Sequence, residues 1–179
     1  MSAPRRPPLH TTGRRLVLAS LIGLLAVAPA LLAGADGADD AVVFEAIKAL
    51  AGDWRGTYQG DGGSLRFEVT SGGHTVIQTE FPGEPHEMRT LYWLDEGNLV
   101  AQHFCMLGNQ PRWDVESPDG GATLRFVFTG GGNLDPAVDP HAHEGVMTID
   151  AAGTLESTWT FWEGGEPSET NTFRLQRSQ

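Results

Sequence analysis

Met88-Arg89-Thr90-Leu91-Tyr92-Trp93-Leu94-Asp95-Glu96-Gly97-Asn98-Leu99-Val100-Ala101-Gln102-His103-Phe104-Cys105 decides the fold class. Two apolar-rich runs flank a short Asp-Glu-Gly turn, the pattern of an antiparallel hairpin. Pairing Leu94 with Leu99 across that turn puts Met88, Thr90, Tyr92 and Leu94 on the face of Leu99, Ala101, His103 and Cys105. The other face then holds Glu87, Arg89 and Gln102, a wet exterior. A slip of one residue would exchange the two faces, because side chains alternate along a strand.

Similar runs extend in both directions, near 54–59, 64–70, 74–80, 86–94, 98–105, 111–117, 122–129, 143–150, 154–162 and 170–177. Several alternate clearly, among them Leu65/Phe67/Val69, Leu124/Phe126/Phe128 and Leu155/Ser157/Trp159/Phe161. Period two with one apolar face marks half-buried antiparallel strands. About ten such strands in sequential hairpins predict an all-β, antiparallel up-and-down barrel, since closure removes exposed edges. One short helix is expected before it at Ala41–Ala51, where Val42, Val43, Ala46, Ile47 and Leu50 recur at helical spacing. Asp39 or Asp40 can cap its start and Gly52 can end it.

In a meander, alternate turns lie at opposite ends. One set, near 71–73, 95–97, 118–121 and 151–153, is tight. The other, near 60–63, 81–85, 106–110, 130–142 and 163–169, is longer. Long loops gathered at one end of a small domain usually carry function, so a closed end and an open mouth are expected.

The chain has 179 residues, 23 acids against 12 bases and a net charge of −11. That length suits one domain, and the acidity argues against a nucleic-acid partner. Residues 1–35 read as a signal peptide. Arg5, Arg6, Arg14 and Arg15 precede an apolar run, Leu16–Ala33, and small residues follow it before Asp36. The expected domain is therefore 36–179, exported to a periplasmic or extracellular space, with membrane contact only through an uncleaved signal segment. Losing 35 residues with four arginines and no acid leaves 144 residues, eight bases against 23 acids, at −15. Cys105 is the only cysteine, so no internal disulfide can form.

The mouth is where chemistry would gather. His86, His103, Cys105, His141 and His143 all fall at the long-loop end. His103-x-Cys105 and His141-x-His143 each place two donors on one strand face. Two inward-facing pairs would make an N/S set suited to zinc or copper. The simpler expectation is no resident cofactor and a pocket for a small apolar or amphipathic molecule. Trp54, Tyr92, Phe126, Trp159 and Phe161 would line its wall, while His103, Tyr92, Asn109 and Arg112 would orient a polar end. With Cys105 and His143 these are the candidate ligand-binding residues, and His103, Cys105, His141 and His143 the candidate metal ligands. A histidine acting as base beside Cys105 would be the minimal enzyme. There is no Gly-x-Ser-x-Gly elbow, phosphate-binding glycine loop or His-Glu-x-x-His.

Leu50-Ala51-Gly52-Asp53-Trp54-Arg55-Gly56 resembles the Gly-x-Trp-x-Gly opening of calycin-type barrels, which include lipocalins and nitrobindins. Pro85–Tyr92, Leu99–Cys105, Gly108–Arg112 and His141-Ala142-His143 together resemble a bacterial family of exported lipocalin-like proteins of unknown function. The resemblance spans nearly all of residues 44–177 and implies a lipocalin-like barrel and export. Similarity to nitrobindins implies haem held by one histidine near the C-terminus, yet no histidine follows His143 here.

Overall fold

The computed structural model describes residues 39–178. The expected signal peptide, residues 1–35, lies outside the described residues. Helix α1 (Asp40–Lys48) leads into ten antiparallel strands: β1 (Gly52–Tyr58), β2 (Asp61–Thr70), β3 (Thr75–Glu80), β4 (Met88–Asp95), β5 (Asn98–Phe104), β6 (Gln110–Glu116), β7 (Thr123–Gly132), β8 (His141–Ile149), β9 (Thr154–Glu163) and β10 (Glu166–Arg177). Each pairs with its sequence neighbours, and β1 with β10 closes the barrel. The fold is all-β, a closed up-and-down barrel with one short helix before it, as the periodicity predicts. Among the described residues, no helix is long and apolar enough to cross a membrane.

The register of the hairpin is the expected one. Leu94 pairs with Leu99, Tyr92 with Ala101 and Thr90 with His103. The turn works because Glu96 and Gly97 both take positive φ, 52° and 93°. That turn geometry matches the twist of the flanking strands.

The helix plugs the tight-turn end. Asp39 caps it by accepting the Ala41 amide at 2.9 Å. Asp40 reaches across to accept the Leu99 amide at 2.7 Å. Val43, Phe44 and Ile47 are buried against the barrel core. At the helix's other end the indole of Trp54 donates to the Leu50 carbonyl at 2.9 Å. The Arg177 guanidinium lies 4.6 Å from the Trp54 ring and donates to the carbonyls of Ala49 and Ala51. A cation at a helix C-terminus satisfies its free carbonyls and complements the helix dipole.

The mouth departs from the expected loops. Residues 61–63, 130–132 and 166–169 are strand, so the β1–β2 and β9–β10 connections shrink to Gln59-Gly60 and Gly164-Gly165. The β7–β8 loop keeps only residues 133–140. Glycine-rich composition reads as loop, but here it permits close strand contact. A Cβ on Gly131 would stand 2.5 Å from the Gln110 carbonyl oxygen.

Candidate functional site

The mid-barrel is filled by aromatic rings. Trp113, Phe126 and Trp159 form a triangle with centroids 4.7–6.1 Å apart. Trp159 owes its place to Gly145 on the facing strand, where a Cβ would come within 2.6 Å of the indole. Above this layer, at the mouth end, a cavity of about 490 Å³ opens. Tyr58, Met88, Trp113, Trp159, Phe161 and Phe173 supply much of its apolar wall. Phe81 stands at the lip with φ of 53°, a conformation unfavourable for a bulky residue. Its ring packs on Tyr58, Phe173 and His86 at 4.5–5.4 Å.

A short polar chain reaches the cavity floor. The Tyr92 hydroxyl donates to Gln78 Oε1 at 2.6 Å, and Gln78 Nε2 donates to Glu80 Oε1 at 3.1 Å. These two bonds fix which way the amide points. His103 Nδ1 shares a hydrogen bond with the Thr90 hydroxyl at 2.9 Å. It also lies 3.9 Å from Glu80 Oε1, too far for a hydrogen bond. Burial pushes the Glu80 carboxyl up to about 7, against the opposing pull of the Gln78 bond. Burial pushes His103 down to about 4. The contact is therefore not an ion pair at neutral pH: the imidazole is uncharged, and the Glu80 carboxyl keeps its proton to much higher pH than a solvated one. Tyr92 and Tyr58 are raised first by burial and then by the Glu80 charge. Both remain phenols.

The expected ligand-binding residues divide by position. His103, Cys105 and Trp159 line the cavity. Tyr92 is wholly buried and acts through Gln78. Trp54 lies at the opposite, closed end under Arg177. Asn109 is buried between two loops, its Nδ2 donating to the Pro140 carbonyl at 2.8 Å. Arg112 is outside the barrel, paired with Asp95 and stacked over Trp93 at 5.3 Å. It pairs in register with Gln102, the outward neighbour of inward His103, and so cannot orient a ligand.

The histidines do not converge as expected. Ala142 lines the cavity, so its neighbours His141 and His143 turn away from it, and a bulge follows before Glu144. His141 Nδ1 meets the Asp139 carbonyl at 2.8 Å and must carry the proton there. Its Nε2 then accepts from His143 Nδ1 at 3.0 Å when both rings are neutral. His143 stacks on Trp162 at 3.9 Å, and Phe128 packs on both imidazoles. β7 and β8 pair only over Thr123–Phe126, so these rings fill the seam where the ladder stops. Burial, then the neighbouring His141, lowers His143. Among the described residues no three histidine, cysteine or carboxylate side chains gather as a metal site. The shared set of His103, Cys105, His141 and His143 therefore does not form. Burial raises the Cys105 thiol, which runs opposite to nucleophile activation.

Motif searching passes over Glu80 and Tyr58, which line the cavity, and Gln78, which supports Glu80 from behind. The signal for two of them was present: Gln78 and Glu80 continue the alternation begun by Val76, which pairs with inward-facing Tyr92.

The sequence matches no protein-family profile and no curated protein.

Proposed function

We propose that this chain is an exported, lipocalin-like binding protein whose cavity takes a small apolar or amphipathic organic molecule at the open end. The observation that carries this reading is the cavity itself. About 490 Å³ lies within the range of small-molecule sites. The wall is largely aromatic and aliphatic, and two of its polar groups, Glu80 and His103, are buried, as in sites that fix a ligand's orientation. Met106 and Leu107 are exposed at the rim, so apolar surface continues to the entrance. Export is supported by the basic-then-apolar segment ahead of the domain. The lipocalin-like assignment is supported by the closed barrel, the leading helix and the Gly52-x-Trp54-x-Gly56 opening.

The test uses N-phenyl-1-naphthylamine, an uncharged apolar dye that brightens when desolvated. The expected result is saturable enhancement at one dye per chain. Ala142→Trp, which fills the cavity from its wall, should abolish that enhancement while the far-ultraviolet circular dichroism stays unchanged. Non-saturating enhancement, or enhancement unaffected by Ala142→Trp in a folded variant, would contradict the reading.

A further inference from the structure

The cavity is one-sided in charge. Buried Glu80 lines it, exposed Glu163 and Glu169 line its rim, and its lining holds no lysine or arginine among the described residues. On the barrel exterior Arg89 pairs with Glu87, Arg112 with Asp95 and Arg174 with Glu156, while Arg55, in the neighbouring groove, is outside the cavity lining. His103 is the lining side chain best placed to offer positive charge, and burial keeps it neutral.

Glu80 is more than nine-tenths buried. Its Oε1 accepts from Gln78, whereas Oε2 has no hydrogen-bond partner among the described residues. The side chain lines the same cavity as the rings of Tyr58, Trp113 and Trp159. Aromatic faces attract organic cations, most strongly where water is excluded. A ligand carboxylate would meet Glu163, Glu169 and the carboxyl of Glu80 with no lysine or arginine in the lining, an arrangement that selects against it.

Resting on the ligand-binding reading above, we propose that the cavity selects amphipathic amines. The apolar body occupies the aromatic wall, the ammonium group donates to Glu80 Oε2, and Glu163 and Glu169 draw the cation inward. Charge of one sign lining a cleft raises the local concentration of the opposite sign.

Three probes with one tail and different heads provide the test: octylammonium, octanol and octanoate, titrated calorimetrically at pH 7.5 and 0.15 M salt. Octylammonium should bind more tightly than octanoate by on the order of tenfold or more, as expected for pairing against repulsion in a desolvated site. Octanol should fall between them. Glu80→Gln should reduce the amine-over-acid preference to about threefold, the residue left by rim charges alone. Octanoate binding as tightly as octylammonium would overturn the amine assignment while leaving small-molecule binding intact. Failure of all three to bind would contradict the binding reading beneath it. If Glu80→Gln does not fold, the order of the three probes on the unaltered protein still decides. Glu163→Gln/Glu169→Gln should then weaken octylammonium alone, and an equal effect on octanol would count against the assignment.

Discussion

The two ends of this barrel are built on opposite rules. At the closed end the fold answers the groups that hold the helix in place: the Trp54 indole by the Leu50 carbonyl, the helix carbonyls by Arg177, the Leu99 amide by Asp40. At the open end the chain from Tyr92 through Gln78 stops at Glu80, whose second oxygen has no partner among the described residues. The closed end is satisfied internally, whereas the open end is left with capacity for a ligand. The same ten strands serve both because a barrel of this length can be filled at one end and hollow at the other.

The largest expected effect breaks the closed end. Trp54→Ala removes a buried indole, its hydrogen bond and the surface on which Arg177 stacks. It should cost about 3–5 kcal/mol, measured as a drop in the urea unfolding midpoint. Binding by the fraction that stays folded should be unchanged, since the cavity is at the other end.

The second effect belongs to the open end and is read in pH. Glu80 sits near 7 in the fold against 4.5 for the free group, so its share of stability is present below pH 4.5 and lost as pH rises through 7. His103 sits near 4 against 6.5, so its share is present above pH 6.5 and lost as pH falls through 4. Each is worth roughly 3 kcal/mol by the usual conversion, and the two nearly cancel between pH 4.5 and 6.5. Single variants should uncover them. Glu80→Gln should become more stable as pH rises over that window, and His103→Gln less stable. Denaturant midpoints at pH 4.5 and 6.5 check this, and parallel slopes in the two variants would contradict it.

These two groups also mark how far the sequence could be read. The hairpin register follows from Leu94, Leu99 and a Glu-Gly turn, because one face must be apolar. That register alone places His103 and Cys105 inside. It does not carry to His141 and His143. Their x residue, Ala142, is the one facing inward, and a two-residue spacing fixes that they share a face without saying which. Arg112 fails for the same reason, one strand further on. Residues 130–132 fail differently. Gly131 and Gly132 there answer to Gln110 on the neighbouring strand, a long-range contact with no local trace. Glu80 was legible by parity from Val76, but an acid at a strand end resembles an ordinary solvated group until its burial is known.

A third, smaller effect sharpens the contrast from within the cavity. Gly145→Ala places a Cβ against the Trp159 indole and should displace the ring toward the ligand space. Dye affinity should fall roughly tenfold, with a stability cost of about 1–3 kcal/mol for overpacking. The smallest effect is Arg112→Ala. An exposed pair with Asp95 contributes about 0–1 kcal/mol, and dye binding should not change. A large loss of binding there would mean that the outward placement of β6 is wrong.

The central claim, that the open end and not the closed end receives a small molecule, is tested most directly by methionine methyl and indole N–H resonances during titration with octanol. Met88 and Met106 line the cavity, whereas Met147 is packed in the core and Trp54 lies at the far end. Saturable shifts at the Met88 and Met106 methyls and the Trp113 and Trp159 indoles, with Trp54 unmoved, are the predicted result. Shifts centred on Trp54, or none that saturate, would contradict it.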